Sequence, residues 1–165
     1  ELNVGLLFYQ LTSTCREDML KEAQRAKEIA GDQLVLKLPT TKQGFQIIPY
    51  LPSDVTCCIT AIYSVAQALV ARESSVRYIA VYVSRATKLL GDGMSLVTEI
   101  SRILQGSQTQ LLAASLKSPM EASSAILAGA DHLTLPFDVL SQLTYHEYSE
   151  DAVNDFNENG LGLQL

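Results

Sequence analysis

Positive charge is scarce in this chain. Lysine and arginine number 12 against 18 aspartates and glutamates in 165 residues, a formal net charge of −6. That balance excludes a nucleic-acid binder working through a basic surface, while leaving room for a local cationic pocket around a small anion. Histidine is rarer still, at two residues, His132 and His146. With no Cys-x-x-Cys pair either, no metal site is expected. The three cysteines are Cys15, Cys57 and Cys58. Their number is odd, and the adjacent two sit in a strand-like run, where neighbours point to opposite faces. A disulfide framework is not expected, and a reducing, cytoplasmic setting is. Glycine (9) and proline (5) are too few for a collagen-like or low-complexity chain, and 47% hydrophobic residues are too many for a disordered one. The apolar runs, such as Gln33–Leu38 and Val76–Val83, are too short to cross a bilayer, so no membrane partner is expected. No signal or transit pattern is read at the start. Opening on Glu1 before an apolar run suggests a start inside a larger protein.

What is present is an alternation of β-like runs and helical stretches. Strands are predicted at Leu6–Gln10, Leu34–Leu38, Val55–Ile59, Tyr78–Val83, Gln110–Ala114 and His132–Leu135. Helices are predicted after Thr14, whose spacing to Glu17 reads as a capping box; over Thr41–Leu51 and Tyr63–Arg72; over Ser95–Leu104, where Leu96, Val97, Ile100, Ile103 and Leu104 make a stripe; and after Ser118-Pro-Met-Glu121, a second capping box that stops at Gly129. Asp138–Leu143 and Ser149–Asn159 read as two further helical pieces. Such alternation without a linker implies one domain, 1–165, of parallel strands with helices outside. An open doubly wound sheet and a (β/α)8 barrel both fit. Six units over 165 residues give roughly 27 per unit, so eight need about 216, near the small end for a closed barrel.

Strand polarity favours the barrel. Alternation sets Val35 and Lys37 against Leu34, Leu36 and Leu38. It sets Thr56, Cys58 and Thr60 against Cys57 and Ile59, and Tyr78, Ala80, Tyr82 and Ser84 against Ile79, Val81 and Val83. In the fifth strand Leu111, Ala113 and Ser115 lie opposite Leu112 and Ala114. One face is apolar and the other turns polar toward the strand C-terminus, as a barrel interior does at its working end. An ammonium held out of water without a partner is costly, and a lysine so placed sheds its proton more readily than in water. The neutral amine forms a Schiff base with a ketone. Lys37, near the end of an apolar strand, is the candidate nucleophile; the competing reading is a strand-end lysine reaching solvent. Tyr82 is a candidate proton carrier. Gln10 and Thr60 can hold a water or the substrate. Arg85 and Ser115 are candidate phosphate ligands, helped by backbone N–H groups at the helix start capped by Ser118.

These segments resemble the transaldolase family, in its small fructose-6-phosphate aldolase-like branch. Leu34-Val-Leu-Lys-Leu-Pro39 is similar to its lysine strand, V-x-K-[IV]-P, and Ile59-Thr-Ala-Ile-Tyr-Ser-Val-Ala-Gln67 to T-x-[VI]-[YF]-x-x-x-Q. Ile79-Ala-Val-Tyr-Val-Ser-Arg85 resembles P-[YF]-V-x-R, Leu112-Ala-Ala-Ser-Leu-Lys117 resembles A-A-S-[FI]-[KR], and Ala128-Gly-Ala-Asp-His-Leu-Thr-Leu-Pro136 resembles A-G-x-x-x-x-T-[LV]-P. The motifs keep family order over nearly the whole chain.

The resemblance implies a TIM (β/α)8 barrel of the class I aldolase type, with the first two β/α units missing from this chain. It implies no cofactor, a sugar phosphate substrate (fructose 6-phosphate, dihydroxyacetone, glyceraldehyde 3-phosphate) and a homo-oligomer; the apolar tail residues Leu161, Leu163 and Leu165 fit a subunit contact or a disordered end equally. Lys37 is then the Schiff-base residue, Tyr82 the acid/base, Gln10 and Thr60 the water-positioning groups, and Arg85, Ser115 and, more weakly, Lys117 the phosphate ligands. Tyr82, where transaldolases usually carry Phe, points to the aldolase branch. A true transaldolase of the pentose phosphate pathway and an inactive barrel fragment serving as scaffold are the alternatives. The chain departs from the family in lacking its first-strand Asp motif and its T-T-N-P motif. It also has Val81 for Pro before Tyr82, and a loop read at Ala86–Gly93 without the usual acidic residue.

Overall fold

The computed structural model describes residues 5–163, so Glu1 and Leu165 lie outside the described residues. Strands and helices alternate: β1 (Leu7–Gln10), α1 (Arg16–Ala30), β2 (Leu34–Pro39), α2 (Lys42–Gln46), β3 (Thr56–Ile62), α3 (Val65–Glu73), β4 (Tyr78–Tyr82), α4 (Val83–Leu90), α5 (Gly93–Leu104), β5 (Gln110–Ala114), α6 (Pro119–Leu127), β6 (His132–Leu133), α7 (Phe137–Gln142) and α8 (Glu147–Asn159). The six strands neighbour one another in chain order, every pair parallel. Right-handed crossovers that always step the same way lay the helices that connect the strands on one face of the sheet. A doubly wound sheet would reverse its order and cover both faces. The architecture is therefore a parallel half-barrel, TIM-barrel-like.

Burial follows from that handedness. On the helix side Leu36, Ile59, Ile79 and Leu111 pack with Met19, Ala71, Ile100 and Ala125 in one core. Each large side chain so buried contributes about 1.5–3 kcal/mol. Alanines on α3 and α6 let those helices sit close to the sheet. The inner face carries a separate cluster made of strand residues alone, Val35, Cys58, Tyr78, Ala80 and Leu112. Phe8 reaches across it to Tyr78, 5.4 Å between ring centroids, and Tyr78 to His132, 5.8 Å.

Four sequence expectations are corrected. First, the box on Thr14 does not form: α1 starts at Arg16 with Cys15 at its N-cap. The frame is shifted by one residue, so the Cys15 thiol donates to Asp18 Oδ2 at 3.0 Å, while Glu17 pairs with Lys21. Second, the β5 faces are exchanged. Leu112 registers with Ala80 and Ala114 with Tyr82, so these two line the inner face, and Leu111 and Ala113 belong to the helix side. Third, the segment after Arg85 is helical through Leu90. A Cβ on Gly93 would lie 2.2 Å from the Val83 carbonyl oxygen, so only glycine lets α5 begin this close to α4. Fourth, the short helix expected within Thr41–Leu51 is present as α2 but ends at Gln46, and a 3-10 turn, Ile48–Tyr50, with Pro49 inside it, follows.

One carboxylate fastens the loop that leaves β1. Glu22 on α1 accepts from the Tyr9 hydroxyl (2.8 Å), the Thr12 N–H (3.1 Å) and the Ser13 N–H (2.9 Å). Burial pushes this carboxyl up, but the hydrogen bonds from Ser13, Tyr9 and Thr12 outweigh it and hold it at about 2. The folded value is thus depressed below the ordinary 4.5. The stability it contributes is complete above the unfolded value and is lost as pH falls toward the folded one. Urea midpoints measured against pH should show the gap between wild type and Glu22→Gln widest at neutral pH. The gap should close across that acid window.

Candidate active site at the strand C-termini

Lys37 stands on the inner face of β2, in register with Gln10 of β1 and Cys58 of β3. It is half-buried, between strand positions that are fully buried. None of the six strands contains an aspartate or glutamate. Lys21 and Lys27 each pair with carboxylates, whereas among the described residues Lys37 pairs with none. The backbone beneath it is fixed. Its carbonyl oxygen accepts from the Leu11 N–H at 3.0 Å and from Gln10 Nε2 at 3.1 Å. Gln10 therefore braces the strand that presents the lysine. The Gln10 amide nitrogen also donates to the Leu11 carbonyl, and among the described residues its amide oxygen has no partner.

Thr60 and Tyr82 end the next two strands. Thr60 is 2% exposed, and its hydroxyl donates to the Tyr82 hydroxyl at 3.4 Å. The Thr60 carbonyl accepts from the Thr40 N–H, just past β2, so the Lys37 and Thr60 strands are tied at the rim. Tyr82 is half-buried and closes β4 directly onto α4. That absence of a loop puts Arg85 in the first turn, its guanidinium carbon 4.8 Å over the Tyr82 ring. The contact contributes about 0.5–1 kcal/mol at an exposed site.

Ser115 follows β5 with φ 62, a left-handed backbone that breaks strand alternation. Its carbonyl accepts from the Ser84 N–H at 3.3 Å, which sets it beside the start of α4 and Arg85. Lys117 is exposed, and among the described residues no contact joins its side chain to these groups. The α6 N-terminus is already occupied: Ser118 Oγ accepts from the Glu121 N–H, and Glu121 Oε2 accepts from the Lys117 N–H. These two N–H groups are taken within the chain, and the Glu121 carboxylate stands beside them.

Tyr63 and Gln67, to which the sequence gives no role, are also held in defined places. Tyr63 lies edge-on to Tyr82, centroids 6.1 Å apart at 75°. Its N–H donates to Gln67 Oε1 at 2.9 Å. The quoted motif contains both residues, yet spacing alone gives neither a partner. Cys58 shares the inner face with Lys37, but burial pushes its thiol up to about 12 against the opposing charge of Lys37, and burial pushes Cys57 to about 11. Both thiols stay protonated at neutral pH. No helix among the described residues is long and apolar enough to cross a membrane.

The sequence and the fold have counterparts among known proteins. The sequence model of the Transaldolase/Fructose-6-phosphate aldolase family matches residues 5–162. A probable transaldolase of Hydrogenobaculum sp. (strain Y04AAS1) is 33% identical over 155 residues, 92% of this chain and 71% of that protein. Among solved structures, a mandelate oxidase variant superposes with TM-score 0.65 at 14% identity, covering 94% of this chain and 60% of the oxidase. An inosine 5′ monophosphate dehydrogenase from Legionella pneumophila superposes with TM-score 0.62 at 15% identity, covering 82% and 45%. Likeness at these identities is one of fold alone, and the chain spans about 60% or less of those structures. The match over nearly the entire chain settles its kinship: the protein belongs to the transaldolase/fructose-6-phosphate aldolase family.

Proposed function

We propose that the chain is, or forms part of, a class I aldolase of the transaldolase type, cleaving or forming a C–C bond of a ketose phosphate through a Schiff base on Lys37. The observation that carries the reading is the setting of that amine. It is half-buried on a face without carboxylates, one strand away from Thr60, whose hydroxyl meets the Tyr82 phenol. The lone pair of Nζ attacks the ketone carbon, and water leaves to give an iminium. Tyr82, directly or through a water held by Thr60 and Gln10, takes the proton of the C4 hydroxyl. The C3–C4 pair of electrons moves into the iminium, giving an enamine, and the aldehyde departs. Protonation and hydrolysis then free dihydroxyacetone; attack on a second aldehyde transfers it instead. The named transaldolase relative supports the transfer branch, and the phenol of Tyr82 supports the aldolase branch. The same reading takes the exposed edges of β1 and β6 as the seam of an eight-stranded barrel completed outside this chain.

Fructose 6-phosphate, offered with and without an aldose phosphate acceptor, tests the proposal. Release of glyceraldehyde 3-phosphate without acceptor supports aldol cleavage. Release only with acceptor supports transfer. No turnover and no borohydride-trapped adduct in folded protein would reduce the chain to a scaffold.

Arg85 and Ser115 take the phosphate in this scheme. Losing charge-assisted contacts worth about 1.5–3 kcal/mol raises KM roughly 10- to 100-fold. Arg85→Ala is therefore expected to raise KM for glyceraldehyde 3-phosphate by that factor, with KM for dihydroxyacetone nearly unchanged. Steady-state synthesis assays on the same variant check the ratio, and equal losses for both substrates would contradict the assignment.

A further inference from the structure

Tyr63 has no part in the scheme above, yet the fold goes to some length to place it. β3 leaves regular pairing near its C-terminus: Thr60 faces Ala80, and the next pair is Ile62 with Val81. Ala61 is thus an extra residue, with φ 62. A non-glycine residue in the left-handed region is strained and persists only where its surroundings hold it, and such bulges re-aim side chains. Simple alternation would put Ile62 on the face of Thr60 and send Tyr63 to the helix side. With the bulge, Ile62 enters the helix-side core fully buried, and Tyr63 arrives edge-on to Tyr82. The segment is then fastened to the first turn of α3. Gln67 Oε1 accepts the Tyr63 N–H, and Ser64 Oγ accepts the Gln67 N–H at 3.3 Å.

We propose that Tyr63 is a positioning residue for Tyr82, and that Gln67 is its anchor. The Tyr82 ring has the Arg85 guanidinium over it, the Thr60 hydroxyl at its own hydroxyl and the Tyr63 ring at its edge. The hydroxyl contact lies on the ring's long axis and leaves it free to rock; the guanidinium covers one face, and the edge contact from Tyr63 sets the angle from the side. Positioning of this kind needs the ring of Tyr63 and not its hydroxyl. The proposal rests on the aldolase reading for its effect on rate, but not for the placement itself.

The test compares Tyr63→Phe, Tyr63→Ala and Gln67→Leu by kinetics on fructose 6-phosphate and by NMR of ring-labelled tyrosine. The Tyr82 signal is assigned through its loss in Tyr82→Phe. Tyr63→Phe is expected to keep kcat within about twofold, while Tyr63→Ala lowers it about 10- to 100-fold with KM little changed. The Tyr82 resonance should move in Tyr63→Ala and stay in Tyr63→Phe. Gln67→Leu should act in the same direction as Tyr63→Ala, and replaces it if that variant fails to fold. Wild-type kcat with an unmoved Tyr82 signal in Tyr63→Ala overturns the proposal. So does a Tyr63→Phe as slow as Tyr63→Ala, which would make the Tyr63 hydroxyl itself a participant. If the wild-type protein proves inactive, the aldolase reading falls by its own result. The Tyr82 resonance then decides the placement alone, moved if Tyr63 holds the ring and unmoved if it does not.

Discussion

Lys37→Met is expected to lower aldol turnover by at least about 10⁴-fold while leaving the fold intact. The loss is large because no other group on this face can take the role. The cysteine beside it in register stays protonated, with its thiol at about 12. Lys21 and Lys27 are tied to carboxylates elsewhere. The fold should survive because Lys37 is half-buried and contributes no ion pair among the described residues. Methionine keeps an unbranched stem at this inner-face position and removes only the amine. Single-turnover and steady-state assays with a urea melt of each sample make the check. A variant that retains a tenth of the wild-type rate would remove the lysine from the mechanism.

Tyr82→Phe is the second large effect. General acid–base groups contribute about 10²–10⁴-fold, and a loss in that range is expected in kcat for cleavage. The ring contacts with Arg85 and Tyr63 need no hydroxyl, so phenylalanine preserves them. Only the hydrogen bond from Thr60 and the proton itself disappear. Schiff-base formation on Lys37 should outlast the loss of cleavage, because the amine and its surroundings are untouched. Trapping yield measured beside kcat separates the two steps. Equal loss of both would assign Tyr82 to imine formation, and an unchanged kcat would remove it from proton transfer.

Where side-chain chemistry differs between faces, the sequence was readable. Lys37 in a run of leucines, and Thr60 and Tyr82 at strand ends, declared their face by contrast with their neighbours, and the registers of β2, β3 and β4 agree. β5 offered no such contrast. Leu111-Leu112-Ala113-Ala114 is apolar on both sides, and Ser115, taken as the guide, stands in a left-handed turn where alternation has ended. Gly91 and Gly93 make the segment after Arg85 read as a loop in the sequence. The glycines instead let α5 fold back against α4. Tyr63 was hidden for a related reason. A single inserted residue, Ala61, reverses the face of everything after it, and an alanine gives no hint of positive φ.

The proposed mechanism rests on one reactive amine that this half-barrel presents to a ketone. Its most direct measurement is peptide mapping after borohydride reduction in the presence of saturating dihydroxyacetone. A single reduced adduct on the peptide carrying Lys37, absent from Lys37→Met, is the predicted result. An adduct on Lys42, Lys88 or Lys117 instead, or none at all in folded protein, would contradict it.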